Sequence, residues 1–340
     1  MTDFESLLAP EGPVAIVINE RLRPVGGKDS VVFPPTYADL GGKGISGYGI
    51  DKLGDEHNRC VLDSVQSQAN RIEPAFLEAP YAALVPQIVV KAGDVSFNVL
   101  EMAHRLADAS VRFSSLDDRI DIAFKTQANA RNATPIAKLS PLSLILGVWD
   151  SRGTQIKLQR ALGSTIYADD VQPLKRNALY TPSFSAQNVD ALESMKKEID
   201  KKSSEAGLAH APSQGLGGVL VRGEISRESI LNLIVLRQLY GGSAEETQKL
   251  RAYLLGLSLV ALTLPQNYNL RSGCQLVRDG KDAIKSKLVN RDGEETSFAF
   301  DHSQALDFAQ LAARTFGVTN EIVEVDFDVE KAKKFLKRKE

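Results

Sequence analysis

Four short stretches of the sequence place a guanidinium or ammonium group beside serine, glycine or glutamine, and this combination suits the binding of phosphate groups. Small neighbours let backbone N–H groups and a guanidinium contact the same phosphate. A capped turn with a surface arginine is the simpler explanation of each stretch taken alone. The side chains that would make the contacts are Ser64, Ser67, Gln68, Arg71, Arg152, Lys157, Arg160, Arg271 and Ser272.

Residues that could catalyse a reaction or hold a metal ion form no familiar motif. The 4 histidines lack the HxH, HExxH and CxxC spacings of metal sites. Neither a GxxxxGK[ST] phosphate loop nor a GxSxG nucleophile elbow occurs. Asp169 and Asp170 could form a carboxylate pair, although a solvated turn explains them more simply. We therefore expect no cofactor, no metal and no catalytic residue; the alternative is a metal-independent hydrolase that uses the carboxylates around 150–170.

The charge balance and the cysteine content narrow the class of protein. The chain carries 41 basic and 43 acidic residues, a formal net charge of −2. Proteins that bind nucleic acid by bulk charge are far more basic, so a nucleic-acid site here would be a local groove. Cys60 and Cys274 suit a reducing cytosol. No signal-peptide pattern and no bilayer-length apolar run occurs, so we expect a cytoplasmic protein without membrane contacts.

A short amphipathic helix is predicted to position several of the polar side chains. Its apolar residues recur at helical spacing and are Val65, Ala69, Ile72 and Phe76. Asp63 stands where an N-cap is expected, with Gln66 three residues later as in a capping box. Pro74 is expected to end the helix. The remaining faces then present amides, hydroxyls and one guanidinium.

The rest of the chain alternates between strand and helix patterns. The predicted strands are 14–25, 87–93, 142–151, 164–174, 217–225, 269–280 and 321–329. The predicted helices are 154–162, a segment from Ser226 to Gly241, 244–263, and a segment from Asp301 to Gly317. This order indicates an α+β fold in which helices cover one face of an antiparallel sheet.

We expect a single domain, 1–340, with three segments of distinct composition. The 26–57 segment is rich in glycine and predicts a long loop or loose hairpin inserted into the domain. The 176–216 segment is a charged insertion with one helix near 188–206. The 318–340 segment is a C-terminal strand followed by a basic helix.

Several short sequence motifs also resemble those of a known family. They occur in the order FPPTYA (33–38), LDSVQSQANRIE (62–73), VWDSRG (148–153), RALGSTIYA (160–168) and LRSGC (270–274). Together they resemble the backbone subunit of type I-G (formerly I-U) CRISPR effector complexes, also called Cascade, a RAMP-superfamily protein of Cas family seven. The resemblance covers residues from about 14 to 280, and its most specific motif is that of residues 62–73.

The resemblance implies a hand-like fold and a role in an assembly. Its palm is RNA-recognition-motif-like (ferredoxin-like), a four-stranded antiparallel sheet with two helices, and the 26–57 and 176–216 insertions would be finger and thumb. Copies of such a subunit polymerise into a helical filament along a CRISPR RNA and leave its bases free to pair with target DNA. The implied partners are the CRISPR RNA, the target DNA, further copies, the other subunits and a separate helicase-nuclease.

The polar face of residues 63–73 has two interpretations. It could lie along the RNA, with Ser64, Ser67, Gln68 and Arg71 contacting phosphates or 2′-hydroxyl groups. Its amides could instead pair with a neighbouring subunit or with the 26–57 insertion. A self-assembling scaffold that needs no nucleic acid is a further alternative to the RNA-binding subunit.

Overall fold

The structure is a computed structural model that describes residues 3–37, 47–180, 211–319 and 321–337. Its strands are β1 (Ala15–Pro24), β2 (Thr36–Tyr37), β3 (Gly47–Tyr48), β4 (Ile50–Lys52), β5 (Asn58–Asp63), β6 (Gln87–Ala92), β7 (Val95–Asn98), β8 (Val148–Trp149), β9 (Lys157–Leu158), β10 (Leu162–Asp169), β11 (Val171–Tyr180), β12 (Ala211–Val221), β13 (Ile225–Asn232), β14 (Asn269–Arg271), β15 (Cys274–Arg278), β16 (Ile284–Val289), β17 (Glu295–Ser297) and β18 (Ile322–Asp326). Its helices are α1 (Val65–Ile72), α2 (Ala109–Arg112), α3 (Asp117–Ala130), α4 (Thr134–Ala137), α5 (Pro141–Leu146), α6 (Leu233–Gln238), α7 (Ala244–Thr263), α8 (His302–Phe316) and α9 (Val329–Leu336).

One large antiparallel sheet organises the fold. Its strand order is β14-β15-β1-β13-β10-β5-β4, and β16 pairs with β1 beside β15 and carries β17. Strand β13 therefore lies between β1 and β10, and it runs antiparallel to both. Helices α1 to α5 are inserted between β1 and β10, and α6 and α7 follow β13. The combination of helices with an antiparallel sheet confirms the α+β expectation.

The sheet buries one face, and the alternation of β1 shows why. Successive side chains of a strand point to opposite faces, so every second residue turns inward. In β1 the inward residues are Ile16, Ile18, Glu20, Leu22 and Pro24. Ile16 and Ile18 join the larger hydrophobic cluster beneath the helices, whereas Leu22 joins a smaller cluster. Glu20 lies between the two clusters and is buried.

Helix α7 forms the centre of the larger cluster. Every residue from Ala252 to Leu262 is buried, which is typical of a helix that is apolar on all sides. Ser243 caps its start by accepting a hydrogen bond from the backbone N–H of Glu246. Helix α8 packs closely against it, because Gly256 leaves room: a Cβ added there would lie 2.8 Å from the Cα of Ala309. Buried residues of both helices belong to the larger hydrophobic cluster.

The strands and helices with strong local sequence signals were predicted correctly. Strands β1 and β6, helix α7 and the C-terminal strand β18 with the basic helix α9 lie where the sequence places them. Helix α8 begins at the capping box of Asp301 and Gln304 and ends at Gly317, which adopts a left-handed conformation.

Three of the predicted elements were wrong. The first half of the apolar run 142–151 lies in helix α5, which begins at Pro141, and only β8 within the run is strand. Periodicity cannot separate a buried strand from a fully buried short helix. The segment 154–162 is extended and contains β9. The segment after Ser226 stays in β13 as far as Asn232, and only α6 is helical.

The predicted cap of α1 was also wrong. Ser64, not Asp63, caps the helix by accepting a hydrogen bond from the backbone N–H of Ser67. Asp63 is the last residue of β5 and is fully buried. Its carboxylate binds side chains instead of the helix terminus, because the packing of β5 against β10 turns it inward.

The segments of distinct composition are described in part. The 26–57 segment contributes the β2–β3 hairpin and the edge strand β4. The 176–216 segment contributes the outer ends of the antiparallel pair β11–β12, and the predicted helix near 188–206 lies outside the described residues. Strand β18 pairs in parallel with β6 in a separate small sheet. Within the described ranges, no helix is long and apolar enough to cross a membrane.

Candidate nucleic-acid-binding surface

The buried carboxylate of Asp63 binds four of the side chains around it. Its Oδ1 accepts hydrogen bonds from Ser67 Oγ at 2.7 Å and from Arg271 Nη2 at 3.3 Å. Its Oδ2 accepts from Gln68 Nε2 at 2.6 Å and from Arg71 Nε at 3.0 Å. Two cations thus share one anion, and a positive charge is left at the rim of this site.

Arg71 and Arg271 reach the surface only in part. Arg71 Nη2 also donates to the carbonyl of Leu270 at 2.7 Å, which ties α1 to β14. The side chains of Arg71 and Arg271 are 30% and 26% exposed. Both therefore border the surface while several of their donors are used within the protein.

The other residues predicted on this face differ in exposure. Gln68 is 1% exposed, and its amide accepts from Ser164 Oγ while donating to Asp63. The structure therefore places Gln68 inside the protein and not on the polar face. Ser64 and Ser67 are half-buried, and Ser272 is exposed in the turn between β14 and β15.

A row of polar and charged side chains continues from the Asp63 site across the large sheet. Ser164 on β10 contacts Ser229 on β13 at 2.8 Å and accepts from Arg227 Nε at 3.0 Å. Arg227 Nη1 donates to Glu20 on β1 at 3.3 Å. Glu20 also accepts from Arg278 Nε at 2.5 Å and from the hydroxyl of Tyr268. The row separates the two hydrophobic clusters and pairs its charges internally.

A second group of basic residues lines a cleft on the other side of α1. This cleft, which we call the Trp149 cleft, has a volume of about 650 Å³ and lies between α1 and the segment 147–160. Gln66 and Asn70 of α1 face it, opposite Arg152, Lys157 and Arg160. Among the described residues that line it there is no aspartate or glutamate. The cleft therefore combines several cations with amides, which is the chemistry that an anionic ligand requires.

In the part of the chain that the structure describes, no carboxylate neutralises the three predicted basic residues of this cleft. Within the described part of the chain, Arg152, Lys157 and Arg160 form no ion pair; Arg160 Nε donates to the carbonyl of Leu146 at 3.1 Å. Burial, and then the neighbouring Arg105 guanidinium, lower the pKa of Arg160. Because arginine keeps its proton in proteins, the guanidinium groups of Arg105 and Arg160 repel each other. An anion bound in the cleft would reduce that repulsion.

Arg105 lines the same cleft, but its charge is compensated. It forms a buried ion pair with Glu73, in which Nε lies 2.8 Å from Oε1 and Nη2 donates to Oε2 at 2.8 Å. Its Nη1 donates to the carbonyl of Gly147 at 3.0 Å. Arg105 thus fixes the start of the segment that carries Trp149, and no sequence motif indicated it.

A buried guanidinium positions the turn that carries Arg152. Arg112 binds Asp121 at 2.5 Å and Asp117 at 2.8 Å, and its Nε lies 3.4 Å from Asp150 Oδ1. Asp150 Oδ2 accepts hydrogen bonds from the backbone N–H and the hydroxyl of Thr154. The turn from 150 to 154 is therefore closed around Asp150 and anchored on α2 and α3.

The carboxylates considered for hydrolysis are all engaged with basic partners. Asp150 is the fully buried partner of Arg112. Asp169 accepts two hydrogen bonds from Arg59, at 2.7 and 3.2 Å. Asp170 lies in the turn between β10 and β11, and a hydrogen bond from His57 lowers its pKa. Among the described residues, no three histidine, cysteine, aspartate or glutamate side chains are grouped so that they could hold a metal ion.

Another sizeable cleft lies at the base of the β11–β12 pair and differs in charge. It has a volume of about 320 Å³ and mixes basic with acidic residues. Arg21, Arg23, Lys28 and Arg222 lie there together with Asp29, Glu224 and Asp279. Because the acids offset most of the positive charge, this cleft suits an anion less well than the Trp149 cleft.

The predicted basic residues therefore fall into two groups on either side of α1. Arg71 and Arg271 meet at Asp63, whereas Arg152, Lys157 and Arg160 line the Trp149 cleft. Sequence reasoning missed Trp149 itself, which is 57% exposed and is the only tryptophan of the chain. An isolated tryptophan followed by Asp-Ser-Arg-Gly was the signal that could have revealed it.

The part of the chain that contains most of this surface also matches a known family. Residues 16–173 match the model of the family described as CRISPR-associated protein GSU0053. The match covers a little under half of the 340 residues and includes α1 and the whole lining of the Trp149 cleft. No curated protein matches the chain. The family match supports a CRISPR-associated protein.

Proposed function

We propose that this protein is a non-catalytic subunit that binds a CRISPR RNA without regard to its sequence and polymerises along it. The filament would form the backbone of a type I interference complex and present the guide to target DNA. The observation that carries the proposal is the Trp149 cleft, where Arg152, Lys157 and Arg160 meet no carboxylate among the described lining residues. The match of 16–173 to a CRISPR-associated family supports the same role.

The order of the central strands supports an RNA-recognition-motif-like palm. Strands β16, β1, β13 and β10 lie side by side and are antiparallel, with helices between β1 and β10 and between β13 and β16. The split βαβ fold, which the RNA recognition motif shares, has a similar order of strands and helices, and this similarity supports the proposed palm. The β11–β12 pair projects between β10 and β13 and would be the thumb or a finger.

The distribution of charge supports backbone recognition over recognition of bases. The chain has a formal net charge of −2, so a general attraction to nucleic acid is not available. Arg152, Lys157 and Arg160 instead lie together in a cleft whose described lining holds no carboxylate, with Gln66 and Asn70 beside them. Guanidinium and ammonium groups bind phosphates of any sequence, which is what a subunit that serves every guide requires.

The remaining partners follow from the same proposal. The subunit would act in the cytoplasm, contact further copies of itself and the other subunits of the complex, and leave DNA degradation to a separate helicase-nuclease. The metal-independent hydrolase has less support, because Asp150 and Asp169 are ion-paired and hydrogen bonding lowers the pKa of Asp170. A general acid at neutral pH would need a raised pKa.

Binding of the full chain to labelled single-stranded oligoribonucleotides tests the proposal. Filter binding with several unrelated sequences should give similar affinities. The double variant Arg152→Ala, Lys157→Ala should lower the slope of log affinity against log salt by roughly 0.7 for each lost contact. Lys125→Ala is the control, since Lys125 is exposed and lies outside the cleft. Absence of binding, or binding of a single sequence, contradicts the proposal.

A second measurement addresses the absence of catalysis. The protein is incubated with labelled RNA and labelled DNA in the presence of Mg²⁺, and both should remain intact. Cleavage that purifies with the protein and disappears in the double variant Asp169→Ala, Asp170→Ala would favour the hydrolase instead.

A further inference from the structure

Trp149 is held in an unusual position for the only tryptophan of the chain. Its neighbour Val148 is buried, but Trp149 itself is 57% exposed at the end of the short strand β8. Large aromatic residues usually bury most of their surface. In the part of the chain that the structure describes, no aromatic ring or guanidinium is stacked on it. A flat apolar surface is thus left open to a ligand.

The residues around the ring are cationic. Trp149 pairs directly with Lys157 across the β8–β9 ladder, and directly opposite side chains of such a pair lie on the same face of the ladder. Arg152 follows in the adjoining turn, and Arg160 lines the same cleft. An aromatic surface beside several cations is suited to a ligand that is both aromatic and anionic, which describes a nucleotide.

Buried guanidinium groups bind the backbone and side chains on both sides of the ring. Arg105 binds the carbonyl of Gly147, and Arg112 with Asp150 fixes the turn that follows Trp149. A stacking residue that is already ordered loses little further freedom when a ligand binds. The cleft volume of about 650 Å³ lies within the range of small-molecule sites and accommodates one nucleotide with its flanking phosphates.

We propose that Trp149 stacks on one base of single-stranded RNA whose adjoining phosphates are bound by Arg152, Lys157 and Arg160. This inference rests on the proposed RNA-binding function and adds a subsite to it. Stacking uses the face of a base and tolerates every sequence. The Watson–Crick edge of the stacked base remains free, so the contact is compatible with presentation of a guide. Bases within a duplex are already stacked on both faces, so the site selects single strands.

The single tryptophan makes the subsite directly observable. Tryptophan emission of the full chain is recorded, with correction for absorbance, while unlabelled oligouridylate is added. Single-stranded RNA should quench the emission, and a duplex of matched length should not. Polyglutamate of equal charge is the control for an acidic polypeptide, and quenching by polyglutamate as strong as that by RNA overturns the inference.

Three variants separate stacking from charge. Trp149→Ala should weaken RNA binding by about tenfold, from the cost of one lost base stack, with an unchanged salt slope. Trp149→Phe should retain most of the affinity, since a ring remains. Lys157→Ala should instead lower the salt slope. Because Trp149 is exposed, we expect Trp149→Ala to melt at the wild-type temperature.

The outcomes distinguish this inference from the proposed function. If fluorescence anisotropy of labelled RNA shows binding, but tryptophan emission does not change and Trp149→Ala binds as tightly as the wild type, the stacking site is refuted while the RNA-binding function stands. If no RNA binds, the proposed function itself fails. The quenching experiment uses the wild-type protein, so it decides the question even if a variant folds poorly.

Discussion

Arg71 and Arg271 bind opposite oxygens of the same buried carboxylate, that of Asp63. One arginine comes from helix α1 and the other from strand β14, so the carboxylate joins two elements that are distant in sequence. The geometry gives these two arginines an internal role, whereas Arg152 and Lys157 form no ion pair with any described residue. This difference can be measured.

Replacement of Arg71 or Arg271 by Ala should lower stability. Each change removes one of the two cations that compensate the fully buried Asp63. We expect a loss on the order of 1–3 kcal/mol in the free energy of unfolding, because Asp63 keeps its other partners. Thermal melts measure the loss, and Arg152→Ala is the control that should melt as the wild type does. A wild-type melting temperature together with a reduced salt slope would instead assign Arg71 or Arg271 to direct phosphate binding.

Replacement of Arg112 by Met should be more severe. It leaves Asp150 buried without a cation and removes a partner from Asp117 and Asp121. Breaking such a buried pair costs about 3–5 kcal/mol. Lys125→Ala is the matched control, because Lys125 pairs with the same Asp121 at the surface and should change stability by less than about 1 kcal/mol. Equal effects of the two variants in denaturant titrations would show that the Arg112 cluster does not anchor the turn.

Replacement of Gly153 by Ala should disturb the turn that carries Arg152. A Cβ at this position would overlap Arg112 Nη2 and lie 2.7 Å from Asp150 Oδ2. We therefore expect lower stability and weaker RNA binding together. Gly54→Ala is the control: Gly54 is exposed, and a Cβ there meets nothing within 4 Å. If Gly153→Ala melts and binds RNA as Gly54→Ala does, the close packing of this turn is not required.

The two cysteines should be unreactive in the folded protein. Burial raises the pKa of Cys60 to about 12 and the pKa of Cys274 to about 11. Since the thiolate is the reactive form, labelling with a thiol reagent at pH 8 should be slow without denaturant and complete in its presence. Rapid labelling of either thiol in the native protein would show that the smaller hydrophobic cluster opens readily.

The elements predicted most accurately from the sequence are those that interactions between neighbouring residues determine. Helix α7 and helix α8 were found with their caps, because Ser243, Asp301 and Gly317 act on neighbouring backbone groups. Asp63 shows the limit of such reasoning. It precedes a helix and has the residue type of an N-cap, but β5 directs it inward, where it meets Arg271. A contact between residues so distant in the chain leaves no periodic signal.

The candidate surface could be predicted only in part, because some of its contacts join residues that are distant in the chain. The basic residues Arg152, Lys157 and Arg160 were singled out by their small polar neighbours, and the structure brings them into one cleft. That Arg71 faces away from this cleft depends on how α1 packs between β10 and the cleft, and no pattern within α1 specifies it.

The polar row across the sheet has a consequence for how its strands align. Glu20 stands opposite Arg227, and Ser164 stands opposite Ser229. A slip of β1 by one residue would turn Glu20 to the other face and leave Arg227 buried without its carboxylate, while a slip by two would set Glu20 against a serine or an isoleucine. An unpaired buried charge costs several kcal/mol, so each wrong alignment is penalised. Apolar side chains alone would tolerate such a slip by two, and the charged pair therefore selects one alignment of β1 with β13.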